Sequence, residues 1–131
     1  MRVWINGTFD VLHRGHFELI DFAAKYGTLR VGIDGDERVK QLKGDNRPVN
    51  NFLDRVYAMT SIKGVDSVVG FNTDEGLVEC IKEWRPDIMV VGSDYRDKNV
   101  IGSDLVKDLI FFERIENYSS TKIINHGNSI R

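Results

Sequence analysis

The feature that most constrains this chain is an alternation. Short β-branched, continuously apolar runs take turns with longer segments whose apolar residues recur at helical spacing. Val3-Trp4-Ile5 reads as a first strand, buried on both faces as parallel strands are. Residues 15–26 carry Phe17, Leu19, Ile20, Phe22 and Ala23 on one broad stripe and stop at Gly27, which predicts a helix. Residues 29–33 read as a second strand. The stretch from Asp34 to Asn50 is polar, with Gly, Lys, Asp and Pro48, and reads as a long connecting loop. Phe52, Leu53, Val56, Tyr57 and Met59 return to helical spacing, and residues 65–69 form a third strand. Asp74 can cap a helix through Leu77, Val78, Ile81 and Trp84, with Pro86 just beyond its end. Residues 88–91 are the strongest strand. A short helical piece over 103–106, a fifth strand over 109–112 and a last helix over 119–125 complete the order. Strands alternating with helices predict an α/β, Rossmann-like, doubly wound five-stranded parallel sheet with helices on both faces.

Composition bounds the rest. The 131 residues, 41% apolar and 10% aromatic, suit one domain over 1–131 with its own core. Lys and Arg number 18 against 20 Asp and Glu, giving a net charge of -2, so no broad basic surface for nucleic acid is expected. Cys80 is the single cysteine and cannot build an internal disulfide framework. No apolar run approaches a membrane span, and Met1-Arg2-Val3-Trp4-Ile5 enters a strand at once without the build of a signal peptide. A soluble, cytoplasmic protein with no membrane partner is the expectation.

In parallel sheets of this kind, ligands bind beyond the carboxyl ends of the strands, where the strand order reverses. The segment Asn6-Gly7-Thr8-Phe9-Asp10-Val11-Leu12-His13-Arg14-Gly15-His16 lies there, between the first strand and first helix. Two of the three histidines sit three apart in it, which points both rings the same way at a helix start. That start offers unpaired N–H groups and a positive dipole end, a setting for phosphate. Gly7 and Gly15 permit close backbone approach. No cysteine or nearby carboxylate set completes a zinc site, so no protein-held metal is expected.

Gly7-Thr8-Phe9-Asp10-x-x-His13-x-Gly15-His16 resembles the signature of the cytidylyltransferase-like nucleotidyltransferases, related in turn to the His-x-Gly-His synthetase cores. The resemblance implies that His13 and His16 contact the nucleotide phosphates and stabilise the transition state at the α-phosphorus, with Gly7, Thr8, Phe9 and Gly15 at the nucleotide site. Leu42-Lys43-Gly44-Asp45-Asn46-Arg47-Pro48-Val49-Asn50 resembles a segment of the heptose 1-phosphate adenylyltransferases. By that likeness Lys43 works on the phosphates, whereas taken alone the segment is a solvated loop. Arg55 matches a family arginine at the nucleotide site or is a surface charge. Gly92-Ser93-Asp94-Tyr95 matches the stretch facing nucleotide and acceptor, which implies Gly92 on the nucleotide and Asp94 and Tyr95 on the acceptor; Asp10, in the first motif, is assigned to the acceptor as well, or to orienting a histidine or reaching metal indirectly.

Arg114-Ile115-Glu116-Asn117-Tyr118-Ser119-Ser120-Thr121 matches the family's last phosphate-binding turn, with Ile115 and Asn117 replacing the usual threonine and glycine. Arg114, Ser119, Ser120 and Thr121 are thereby placed on the β- and γ-phosphates. The implied reaction is attack by a phosphorylated sugar or polyol on a nucleoside triphosphate carried with Mg²⁺, releasing pyrophosphate. The heptose-type segments favour ATP and heptose 1-phosphate. The chain length and short final segment fit glycerol-3-phosphate cytidylyltransferase, with CTP, as the alternative. A non-catalytic nucleotide-binding module on the same fold is the third reading. The family is commonly dimeric, and the aromatic content is compatible with a homodimer.

Overall fold

A computed structural model describes residues 1–113. The elements run β1 (Arg2–Gly7), α1 (Arg14–Ala24), β2 (Thr28–Asp34), α2 (Asp36–Lys43), α3 (Phe52–Thr60), β3 (Ser67–Phe71), α4 (Asp74–Trp84), β4 (Ile88–Gly92) and β5 (Asp108–Phe112). Two 3-10 turns, Ser93–Tyr95 and Ser103–Leu105, bridge β4 to β5. The strands form one sheet in the order β3-β2-β1-β4-β5, and every neighbouring pair is parallel. This is the doubly wound arrangement that the alternation predicts, with β1 at the centre and the order reversing beside it.

The period of two along β1 divides the core. Val3 and Ile5 face one side, packed with Ile20 and Ala23 of α1 and Met59 of α3. Trp4 faces the other with Leu77, Ile81 and Trp84 of α4 and Met89 of β4. Leu29, Val31 and Ile33 of β2 are fully buried, each stabilising the sheet by about 1.5–3 kcal/mol.

Two boundaries correct the sequence reading. The segment after β2 is not a continuous loop, because its first half is the helix α2. Its terminal signals agree with that: Asp36 and Glu37 occupy the first turn, Lys40 and Lys43 the last, and Gly44 follows at φ 104°. Only Val39 of this helix is buried, so it has almost no apolar stripe to read. β3 starts two residues later than expected. Val65 donates to Ile62 in a turn, and Asp66 exchanges bonds with Leu29 through its backbone and carboxylate, so the ladder begins at Ser67 opposite Arg30. The expected final helix over 119–125 lies outside the described residues.

Candidate active site

β1 pairs with β2 as far as Gly7 opposite Ile33, but with β4 only as far as Trp4 opposite Met89. Past that point β1 and β4 part, and a cleft of about 410 Å³ opens between them. The size suits a small-molecule site, and the place is the switch point of the sheet.

Gly7, Thr8, Phe9, Asp10, His13 and His16 all reach the cleft wall. His13 is the N-cap of α1 and His16 its third residue. The Gly15 N–H donates to His13 Nδ1 at 3.0 Å, and the His13 N–H donates to His16 Nδ1 at 3.2 Å. The imidazoles thus form a capping box, with ring nitrogens replacing the usual hydroxyl and carboxylate oxygens. A nitrogen that accepts carries no proton, so each neutral ring holds its proton on Nε2. The ring centroids are 4.0 Å apart. α1 has no acidic residue in its first turn, so no side chain there opposes the positive end of its dipole. Gly15 is buried in that turn, serving the cap rather than the wall.

Phe9 sits at φ 49°, a conformation that costs a non-glycine residue about 1–2 kcal/mol. Its ring is 5% exposed and meets His16 edge-on at 5.5 Å. A Cβ at Gly7 would come 3.3 Å from that ring. Gly7 therefore admits Phe9, and Phe9 supports a histidine.

Asp10 holds a loop. Its two carboxylate oxygens accept the N–H groups of Val49 (2.7 Å) and Asn50 (2.8 Å), and its carbonyl accepts from the Asn50 side chain at 2.7 Å. The carboxylate on the cleft floor thus secures the segment after α2. Lys43, the last residue of that helix, stands on the wall beside Leu42.

Arg55 is neither a surface charge nor part of the wall: its side chain is fully buried behind it. Nη1 donates to the carbonyls of Thr8 (3.0 Å) and Asp34 (2.6 Å), Nε to that of Asn50 (3.0 Å), and Nη2 to the Asp36 carboxylate (2.7 Å). One guanidinium ties together the chain ends that follow β1 and β2, the start of α2 and the loop held by Asp10. Gly92 and Tyr95 lie on the wall, while Asp94 is exposed on the 3-10 turn and does not. Arg114, Ser119, Ser120 and Thr121 fall outside the described residues.

The sequence reading missed part of the wall. Arg38 reaches it from α2, bonding Asp34 and Asp74 at 2.8 Å each and lying 5.4 Å from the Phe71 ring centroid. Burial disfavours its charge, but hydrogen bonds to Asp74 and Asp34 outweigh this and raise its pKa. Thr8 Oγ1 donates to the same Asp34 carboxylate at 3.1 Å. Asn6, Leu77, Val91, Val100 and Ile101 complete the opposite side. The one signal in the sequence was Asn6 itself, a polar residue ending an apolar strand. Among the described residues no group of three or more acidic, histidine or cysteine side chains could hold a metal ion.

A switch-point cleft with imidazoles capping the helix that faces it is the layout of an α/β domain that handles nucleotide phosphates. The chain belongs to the cytidylyltransferase-like family, which it matches over residues 4–126. It is 43% identical over 128 residues to the bifunctional protein HldE of a Nitratiruptor species, covering 97% of this chain and 28% of that one. The HldE of Campylobacter jejuni subsp. jejuni is 45% identical over 125 residues, covering 93% and 26%. This chain therefore spans about a quarter of the length of these relatives. Among solved structures, a lipopolysaccharide core biosynthesis protein from Thermoplasma volcanium shares the fold, with a TM-score of 0.72 at 24% identity over 88% of this chain and 98% of that one. No helix among the described residues is long and apolar enough to cross a membrane.

Proposed function

We propose that the chain transfers a nucleotidyl group from a nucleoside triphosphate, ATP in preference, to a phosphorylated sugar, releasing pyrophosphate. The best candidate is an activity like that of D-glycero-β-D-manno-heptose 1-phosphate adenylyltransferase. The observation that carries this is the imidazole pair at the head of α1, both Nδ1 atoms held by the backbone and both rings on the cleft wall. Identity of 41–45% to the HldE proteins supports the choice of acceptor.

The attacking oxygen belongs to a phosphate ionised at neutral pH, so no side chain need remove a proton. The barrier is alignment and charge, which positioning and fixed donors lower. His13 and His16 present Nε2–H donors to the α-phosphoryl group, and Lys43 follows the leaving pyrophosphate as a mobile point charge. Asp10 and Arg55 act indirectly, holding the segment that follows Lys43. Mg²⁺ enters as part of the triphosphate substrate; the cleft carboxylates Asp10 and Asp34 are engaged by backbone N–H groups, Thr8 and Arg38. A homodimer belongs to this reading, and Leu53 and Tyr57, one turn apart and exposed on α3, are apolar surface such a pairing could cover.

Pyrophosphate release is the test, measured across ATP and CTP paired with heptose 1-phosphate and glycerol 3-phosphate. Release with ATP and heptose 1-phosphate is expected. Release only with CTP and glycerol 3-phosphate would replace the substrate assignment. A tight nucleotide complex with no pyrophosphate from any pair would leave a binding module.

A further inference from the structure

Asn6 breaks two expectations at once. It lies on β1, the central strand, with β2 on one side and β4 on the other, yet it is exposed. It also ends an otherwise apolar strand core with a carboxamide. The exposure arises because β1 and β4 separate beyond Trp4, so the Asn6 side chain opens onto the cleft.

Its orientation is fixed from below. The fully buried Trp4 indole donates from Nε1 to Asn6 Oδ1 at 2.8 Å. An indole N–H can only donate, so the amide oxygen must be its partner and the flip state of the amide is decided. The indole is itself lodged tightly: a Cβ on Gly32 would lie 2.5 Å from its Cζ2. With Oδ1 turned to Trp4, the Nδ2 group keeps its donors for the cleft, and no described residue accepts from it.

The side of the sheet decides what those donors meet. Trp4 packs with α4, and Asn6, two residues on, faces the same way. The histidines cap α1, which packs on the opposite face. In-line transfer puts the attacking and leaving oxygens on opposite sides of the α-phosphorus. With the triphosphate on the α1 head, the attacking molecule comes from the α4 side. That half has an apolar wall of Leu77 and Val91 and polar groups at Asn6, Arg38 and Asp34, which suits a polyhydroxylated molecule with one carbon face.

Resting on the nucleotidyltransferase reading above, we propose that Asn6 is an acceptor-specificity residue. Its amide, locked by Trp4, donates to oxygens of the sugar of the phosphorylated acceptor. The test uses initial rates with the triphosphate and acceptor that the wild-type chain turns over, varying each substrate in turn. Asn6→Leu should raise KM for the phosphorylated acceptor about tenfold, the loss of a donor to a bound oxygen. Asn6→Asp should raise it further, because a carboxylate then faces an anionic substrate. KM for the triphosphate should stay within about twofold; both variants should fold, with Asn6→Leu melting somewhat lower because the buried Trp4 N–H loses its acceptor and Asn6→Asp keeping one. An unchanged acceptor KM in both variants, or a rise confined to the triphosphate, overturns the assignment and leaves the reaction standing. Absence of pyrophosphate from wild type with every pair overturns the reaction and this inference together.

Discussion

At the scale of single residues, the imidazoles of His13 and His16 do two jobs with opposite ends of one ring. Nδ1 closes the first turn of α1 by accepting a backbone N–H, and in the proposed reaction Nε2 is the donor to the phosphoryl group. A glutamine at position 16 could keep a cap but would move the donor, so His16→Gln should fold and turn over slowly. Lys43→Ala should mainly impair turnover or raise the KM for triphosphate, with little change in acceptor KM; equal rates and affinities would return Lys43 to a solvated helix end. Trp4→Phe removes the N–H that orients Asn6 together with part of a buried ring, so melting is followed beside the rates to separate the cavity from the lost donor. It should reproduce part of the Asn6→Leu effect on acceptor KM in a protein whose own residue 6 is intact, and an acceptor KM equal to wild type would separate the indole from specificity.

At the scale of elements, the cleft is stable because its loops are tied to each other from behind. Arg55→Met leaves the carbonyls of Thr8, Asp34 and Asn50 without their buried donor. Unsatisfied buried acceptors cost about 1–3 kcal/mol each, so urea unfolding should lose about 3 kcal/mol or more. A loss under about 1 kcal/mol would mean the loops hold without it. At the other end of the sheet, Asp87 links three strands. Its carboxylate accepts the Arg2 N–H at 2.9 Å, its N–H donates to the Arg2 carbonyl, and its carbonyl accepts from Lys107 and Asp108. The Arg2 N–H, and then Lys107, hold its carboxyl below the ordinary aspartate value. A depressed folded-state pKa contributes stability above the unfolded value, lost as pH falls through the folded one. Asp87→Asn should therefore melt lower than wild type at pH 7, with the gap narrowing through the acid range and closing below the folded pKa. A gap constant with pH would assign the loss to geometry and not to charge.

These elements also show where sequence is a sufficient guide. The strands β1, β2 and β4 were legible because a parallel strand covered on both faces must be apolar throughout, and few other structures need that. α2 was hidden because it buries one residue, Val39, and helical periodicity is a record of burial. Arg55 on α3 could be read equally as a nucleotide-site arginine or a surface charge and is neither, since its partners are backbone carbonyls from three separate segments that no local pattern announces. Asn6 and Arg38 depend likewise on where strands part and on how α2 leans against β3, both properties of tertiary register. The histidine pair was legible for the contrary reason: its geometry is local, set by three residues of one helix turn.

For the whole molecule, the decisive juxtaposition is between the head of α1 and the gap between β1 and β4. One supplies imidazoles oriented by the backbone, and the other supplies space reached from both faces of the sheet. The parallel topology brings them together, because the carboxyl end of β1 leads directly into α1 while its own pairing with β4 fails. The most direct measurement is pyrophosphate release from ATP and heptose 1-phosphate by wild type and His16→Ala, with melting followed in parallel. Wild type should release pyrophosphate, and the variant should still fold but turn over about a hundred- to a thousand-fold more slowly. Near wild-type turnover in His16→Ala would contradict a catalytic role for the imidazole pair.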